Sequence, residues 1–148
     1  MLDKQFFDRI APNVTARFRK IIFGSESGGK GARQVTGQPY PNYTPEYNKK
    51  KKQGTGKRQD PEFKDSNAPV FTGDTQRQFQ KFKRTSNGFK FGTTRGGVVK
   101  GLERKGRLIS NDAHPLPKKV IDYILSESNK YVKTKFSKVK DIRVEIGK

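Results

Sequence analysis

Between Gly24 and Ala68 the chain offers little for burial beyond Ala32, Val35, Tyr40, Tyr43, Tyr47 and Phe63. The stretch carries Gly28, Gly29, Gly31, Gly37, Pro39, Pro41, Pro45 and the run Lys49-Lys50-Lys51-Lys52, with neither helical nor alternating periodicity. Such a segment cannot offset its ordering entropy through its own burial. The expectation is an extended basic arm over residues 24–68 that orders only against a neighbouring surface. The folded core then falls to an N-terminal helix, residues 1–23, and a C-terminal unit, residues 69–148, within one domain of 148 residues.

That core is small. A compact chain of this length hides about 70% of its unfolded surface, but only 30% of these residues are hydrophobic. The formal charge is +19, from 33 Lys and Arg against 14 Asp and Glu, far beyond what solubility requires, so a polyanionic or acidic partner is implied. Residues 75–107 hold ten of the cations and one acid, Glu103, which makes this region the basic face. Cysteine is absent, which removes disulfide scaffolds, thiolate metal sites and cysteine nucleophiles together. The N-terminus shows neither a signal-peptide pattern nor an apolar span, so no membrane role is expected.

Leu2, Phe6, Phe7, Ile10, Val14, Phe18, Ile21 and Ile22 recur at three- and four-residue steps, the pattern of an amphipathic helix. Pro12 lacks a donor and crowds the carbonyl four residues back, so a short first helix and a second from about Asn13 are expected, closed by Gly24. Asn87-Gly88 between Phe-rich runs signals a hairpin with those two residues at its turn, and Phe89, Phe91 and Thr93 on one face. Phe79 and Phe82 break the alternation of the incoming strand, which calls for a bulge or a helical turn near Thr75. Val98, Val99 and Leu102 give the buried stripe of a short helix from about Gly97 to Lys105. A long helix follows Pro117, with a stripe of Val120, Ile121, Ile124, Leu125, Tyr131, Val132, Phe136 and Val139. Asp141 to Gly147 alternates as a closing strand. The fold class is α+β, with an antiparallel sheet and central hairpin packed by the N-terminal and long C-terminal helices, plus the arm.

Gly24-Ser25-Glu26-Ser27-Gly28-Gly29-Lys30-Gly31 nearly spells a phosphate-binding loop, but Gly31 replaces the hydroxyl residue and neither a preceding strand nor a following helix is expected. His114 with Asp112 lacks the further ligands a metal would need, and reads as a loop residue before a helix. No catalytic, metal or cofactor-binding residue is assigned. The candidates for subunit or polyanion contact are Lys49, Lys50, Lys51, Lys52, Lys57, Arg58, Lys90, Arg95, Lys100, Arg104, Lys105 and Arg107, with Tyr40, Tyr43 and Tyr47 as arm anchors beside prolines.

In order along the chain come Tyr43-Thr44-Pro45-Glu46-Tyr47 with the Lys run, Val70-Phe71-Thr72-Gly73-Asp74, the hairpin closing at Phe91-Gly92, the helix reaching Gly106-Arg107, and His114-Pro115-Leu116-Pro117 before the long helix. This series, from Tyr43 to about Val139, resembles the virion morphogenesis family of tailed bacteriophages, the tail-completion or neck proteins. The resemblance implies a non-catalytic structural protein of the virion, without cofactors, assembled in the host cytoplasm. It implies a homo-oligomeric ring, a hexamer or dodecamer, at the head-to-tail junction, with connector or portal proteins on one side, the tail tube on the other, and transient contact with genomic DNA. A densely cationic lumen would hold DNA that has to slide, so most of the basic surface is expected to meet acidic neighbours. The alternative is a basic nucleic-acid-binding module, for example one associated with ribosomes; a hydrolytic enzyme comes third.

Overall fold

A computed structural model of the chain describes residues 2–53, 66–69, 78–79, 82–86, 88–92 and 96–139. Within these, the elements are α1 (Lys4–Phe23), α2 (Pro45–Gln53), β1 (Phe82–Thr85), β2 (Gly88–Phe91), α3 (Gly96–Arg104) and α4 (Lys118–Val139). The fold is α+β, with an antiparallel hairpin, an N-terminal helix and a long C-terminal helix. The Val70-Phe71-Thr72-Gly73-Asp74 segment and the expected closing strand at 141–147 lie outside the described residues.

The centre of the fold is α1. Phe6, Ile10, Val14, Phe18 and Ile22, each four residues after the last, are all buried and form one stripe. The hairpin and α4 both pack against this helix. Asp3 caps it, accepting from the Phe6 amide at 3.1 Å, and Gly24 ends it in the left-handed region with its amide bonded to the Lys20 carbonyl at 3.0 Å.

The expected division at Pro12 does not occur, because α1 runs unbroken through it. Pro12 lies on the exposed face, where water can solvate the Asp8 carbonyl that loses its helical donor. Burial of Ile10, Ala11 and Val14 around it holds the helix together.

The hairpin register pairs Phe82 with Phe91, Lys83 with Lys90, Arg84 with Phe89 and Thr85 with Gly88. The last pair, Thr85 with Gly88, puts Gly88 in the strand and the turn one position earlier than expected, with Ser86 in it; Asn87 lies outside the described residues. Gly88 begins β2 and lies near the Phe7 ring instead of taking a left-handed turn position. The aromatic packing fixes this register: Phe91 meets Phe18 edge-on at 5.2 Å, Phe89 faces Phe7 at 6.4 Å, and a one-residue slip would turn both away. Before the hairpin, Gln78 is helical and Phe79 occupies a turn, stacked on Phe18 at 5.0 Å; the bulge or helical turn expected near Thr75 lies outside the described residues.

In α3 the Val99 and Leu102 side chains pack on the core, whereas Val98, one step round the helix, is 44% exposed. Its end is a full Schellman motif: the Arg107 amide bonds the Leu102 carbonyl at 2.8 Å, the Gly106 amide bonds the Glu103 carbonyl at 3.0 Å, and Gly106 has φ 77. The expected stripe of α4 also splits. Val120, Ile124 and Tyr131 pack inward, while Ile121 and Leu125 are 39% and 57% exposed; the side chains of Phe136 and Val139 are outside the description.

The arm is the largest departure from expectation. Its described residues fold onto their own chain as a strap. The Arg33 amide bonds the Ile21 carbonyl at 2.7 Å, Arg33 bridges Pro39, and the Val35 amide bonds the Leu108 carbonyl at 3.0 Å. Gln34 Oε1 accepts from the Leu108 amide at 3.0 Å, and Tyr40 Oη donates to the Ile22 carbonyl at 2.8 Å. The partner surface that the arm lacked is supplied by residues 21–22 and 107–108 of the same chain.

Candidate interaction surface

The strap is fastened at Arg107. This residue is only 6% exposed, lies with its guanidinium 3.7 Å from the centroid of the Tyr43 ring, and donates from Nη2 to the Pro41 carbonyl at 2.7 Å. Tyr43 stacks on Tyr47 at 4.5 Å and donates to the Ala68 carbonyl at 3.1 Å. Tyr40 and Tyr43 thus make contacts with their own chain, Tyr40 with Ile22 and Tyr43 with Arg107, while Tyr47 stacks on Tyr43 and stays 37% exposed. Burial raises the Tyr40 and Tyr43 hydroxyls above the usual phenol range, and the neighbouring Arg107 charge pulls both partly back. Arg107 is therefore removed from the set of cations open to an outside partner: its charge faces an aromatic ring and a carbonyl inside the molecule.

The strap continues into α2, which the sequence reading passed over. Thr44 Oγ1 accepts from the Tyr47 amide at 3.2 Å, Pro45 takes the first helical position and Glu46 the first turn. Lys49 is exposed on this helix; the side chains of Lys50, Lys51 and Lys52 are outside the description, as are Lys57, Arg58 and Arg95 altogether.

On the hairpin, Lys90 stands directly opposite Lys83 and both are exposed. Like charges at cross-strand positions repel. Neither forms an ion pair among the described residues, while the adjacent Arg84 is held by Asp8 at 2.7 Å. Lys100, Arg104 and Lys105 are exposed along and just after α3, leaving them open to solvent. Lys83, Lys90, Lys100, Arg104 and Lys105 thus present exposed charge to an anionic surface, whereas Arg84 and Arg107 are engaged within the molecule.

Two other constellations acquire definite geometry. In the Gly-rich loop the amides of Ser27 and Gly29 bond the Gly24 carbonyl, that of Lys30 bonds the Ser27 carbonyl, and that of Ala32 bonds the Gly29 carbonyl. A phosphate cradle needs those donors turned outward, so this loop is a local brace. In the hinge, the His114 amide bonds Asn111 Oδ1 at 2.7 Å and the His114 side chain is exposed; among the described residues no cluster of His, Cys, Asp and Glu could hold a metal.

Sequence reasoning missed a further group of cations. Arg17 and Lys20 on α1, Lys30 and Arg33 on the strap, and Lys118 and Lys119 at the start of α4 line one cleft. About a hundred residues separate its first members from its last, so no local run could mark it.

Compared with known protein families, curated proteins and solved structures, the chain matches none. Among the described residues no helix is long and apolar enough to cross a membrane.

Proposed function

We propose that this chain is a structural subunit of a tailed-phage virion, of the neck or tail-completion kind, which forms a ring and joins proteins on either side of it. The observation that carries the reading is the two-stranded sheet, whose outer edges have no strand partner among the described residues. An isolated hairpin is marginal in water, and unpaired strand edges are templates for pairing with another chain. Here the hairpin is held on one face by α1, and its edges, unpaired among the described residues, are the proposed contact for a neighbouring subunit. The exposed Ile121 and Leu125 on α4 offer a second, apolar contact of the kind an assembled subunit buries. The ordered motifs from Tyr43 to about Val139 supply the specific resemblance.

The basic strap and hairpin then face acidic neighbouring proteins, with a smaller share of cations turned to DNA in transit. Co-purification with connector-side and tail-tube proteins, and loss of it on deleting residues 49–58, tests this reading. A chain that ignores those proteins at every concentration contradicts it.

The opposed Lys83 and Lys90 favour a second reading, a nucleic-acid-binding module using the hairpin face. It requires tight RNA or DNA binding that falls steeply with salt.

A further inference from the structure

The cleft between α1, the strap and the start of α4 has a volume of about 930 Å³. Arg17, Lys20, Lys30, Arg33, Lys118 and Lys119 surround it, and no Asp or Glu lines it. Lys118 is bonded to Asp122 at 2.8 Å, and Arg17 lies over the Tyr123 ring at 4.1 Å. The other four form no ion pair among the described residues. A cleft lined by one sign of charge focuses its potential and concentrates the opposite charge.

The floor is of a different kind. Ile21, Val35 and Pro117 contribute apolar surface between the cations, and no aromatic side chain lines the cleft. A nucleic acid backbone brings phosphates but no aliphatic group for that floor. Single-stranded bases take aromatic platforms, which are missing from the lining. A polypeptide segment with carboxylates around an aliphatic side chain satisfies both features.

We propose that this cleft is a docking site for an acidic polypeptide segment of a partner protein, anchored by one aliphatic side chain on the floor made by Ile21, Val35 and Pro117. The identification of the occupant as a protein rests on the assembly reading, whereas the cleft's preference is a property of the isolated chain. The carboxylates pair with the rim and the apolar anchor fixes their register, so charge supplies encounter and the floor supplies specificity.

The test uses the purified full chain and a short fluorescein-labelled peptide of Glu and Asp around a central Leu, followed by anisotropy at physiological salt. Neutralising the exposed rim with Lys20→Gln, Lys30→Gln and Lys119→Gln together is expected to weaken binding at least about tenfold. Replacing the peptide's Leu by Gly is expected to cost about tenfold as well. The variant's circular dichroism and melting curve establish that it is folded, and Lys83→Gln and Lys90→Gln on the hairpin with Lys100→Gln on α3, three exposed cations outside the cleft, serve as a charge-matched control expected to bind the peptide as the parent does. The proposal is overturned if the parent does not bind, if rim and hairpin variants lose the peptide equally, or if the Leu makes no difference. It is also overturned if the rim substitutions abolish binding of single- or double-stranded DNA while sparing the peptide. Light scattering of the same samples reports ring formation separately, so peptide capture by a monomer would keep this site and refute the ring.

Discussion

The guanidinium of Arg107 stacks on the Tyr43 ring at 3.7 Å, joining the turn that closes α3 to a strap more than sixty positions earlier in the chain. That contact, with the bond to the Pro41 carbonyl, turns an otherwise coreless segment into part of the fold. Arg107→Ala is expected to lower stability by about 2 kcal/mol, since it removes a charge-assisted hydrogen bond and a desolvated stacking contact. Lys105→Ala, two residues away and exposed, should stay within about 0.5 kcal/mol. Urea unfolding of both measures the contrast; equal effects would mean that Arg107 does not fasten the strap.

A second long-range tie closes the two ends of the helical layer. Asp3 accepts from Tyr131 Oη at 2.7 Å and pairs with Lys135, which together with the Phe6 amide hold its carboxyl well below the usual carboxylate range. Lys135 is in turn raised above the ordinary lysine value by Asp3 and Tyr131. A depressed Asp contributes stability that is present above its unfolded value, near pH 4, and lost as pH falls through the folded one. The raised Lys contributes below its unfolded value, near pH 10, and fades as pH rises through the folded one. The melting temperature of Asp3→Asn should therefore lie below the parent's at neutral pH, with the gap narrowing below about pH 4. A gap that does not change with pH would remove Asp3 from this role.

Glycine substitutions separate turn geometry from packing. Gly24 has φ 64, and a Cβ there would lie 2.5 Å from Gly29 Cα, a backbone atom that cannot move aside. Gly24→Ala is expected to cost about 3 kcal/mol or to prevent folding. Gly37→Ala, left-handed but with open space around it, should cost about 1 kcal/mol. Gly88→Ala meets Phe7 at ordinary contact distance and needs no left-handed backbone, so it should be nearly neutral. Thermal melts that rank the three in another order would contradict the loop and hairpin geometry.

Lys83 opposite Lys90 gives a sign that can be checked directly. Lys83→Glu replaces repulsion by attraction across the strands and should stabilise the chain by about 0.5 kcal/mol at low salt, an advantage that shrinks as screening rises. A destabilised variant would place the two residues in some other register.

The helices were readable because their burial is periodic: Phe6 to Ile22 in α1 and Val120, Ile124 and Tyr131 in α4 repeat at helical spacing. The fold class followed from them and from the hairpin. Pro12 misled because a local rule cannot say which face of a helix meets water. The strap was illegible for a different reason. Its order depends on Tyr40 with Ile22, Val35 with Leu108 and Arg107 with Pro41, partners that no window along the sequence contains. The start of α2 did carry a local signal, Thr44-Pro45-Glu46, which the glycines and the lysine run around it outweighed. The cationic cleft draws its residues from both ends of the chain and had no such signal.

The proposed assembly through the hairpin and the exposed face of α4 can be seen or refuted by electron microscopy of the purified chain alongside Leu125→Asp. Closed rings of a single size are expected from the parent and dispersed, folded subunits from the variant. Dispersed monomers from the parent at every concentration, with its virion partners present, would contradict it.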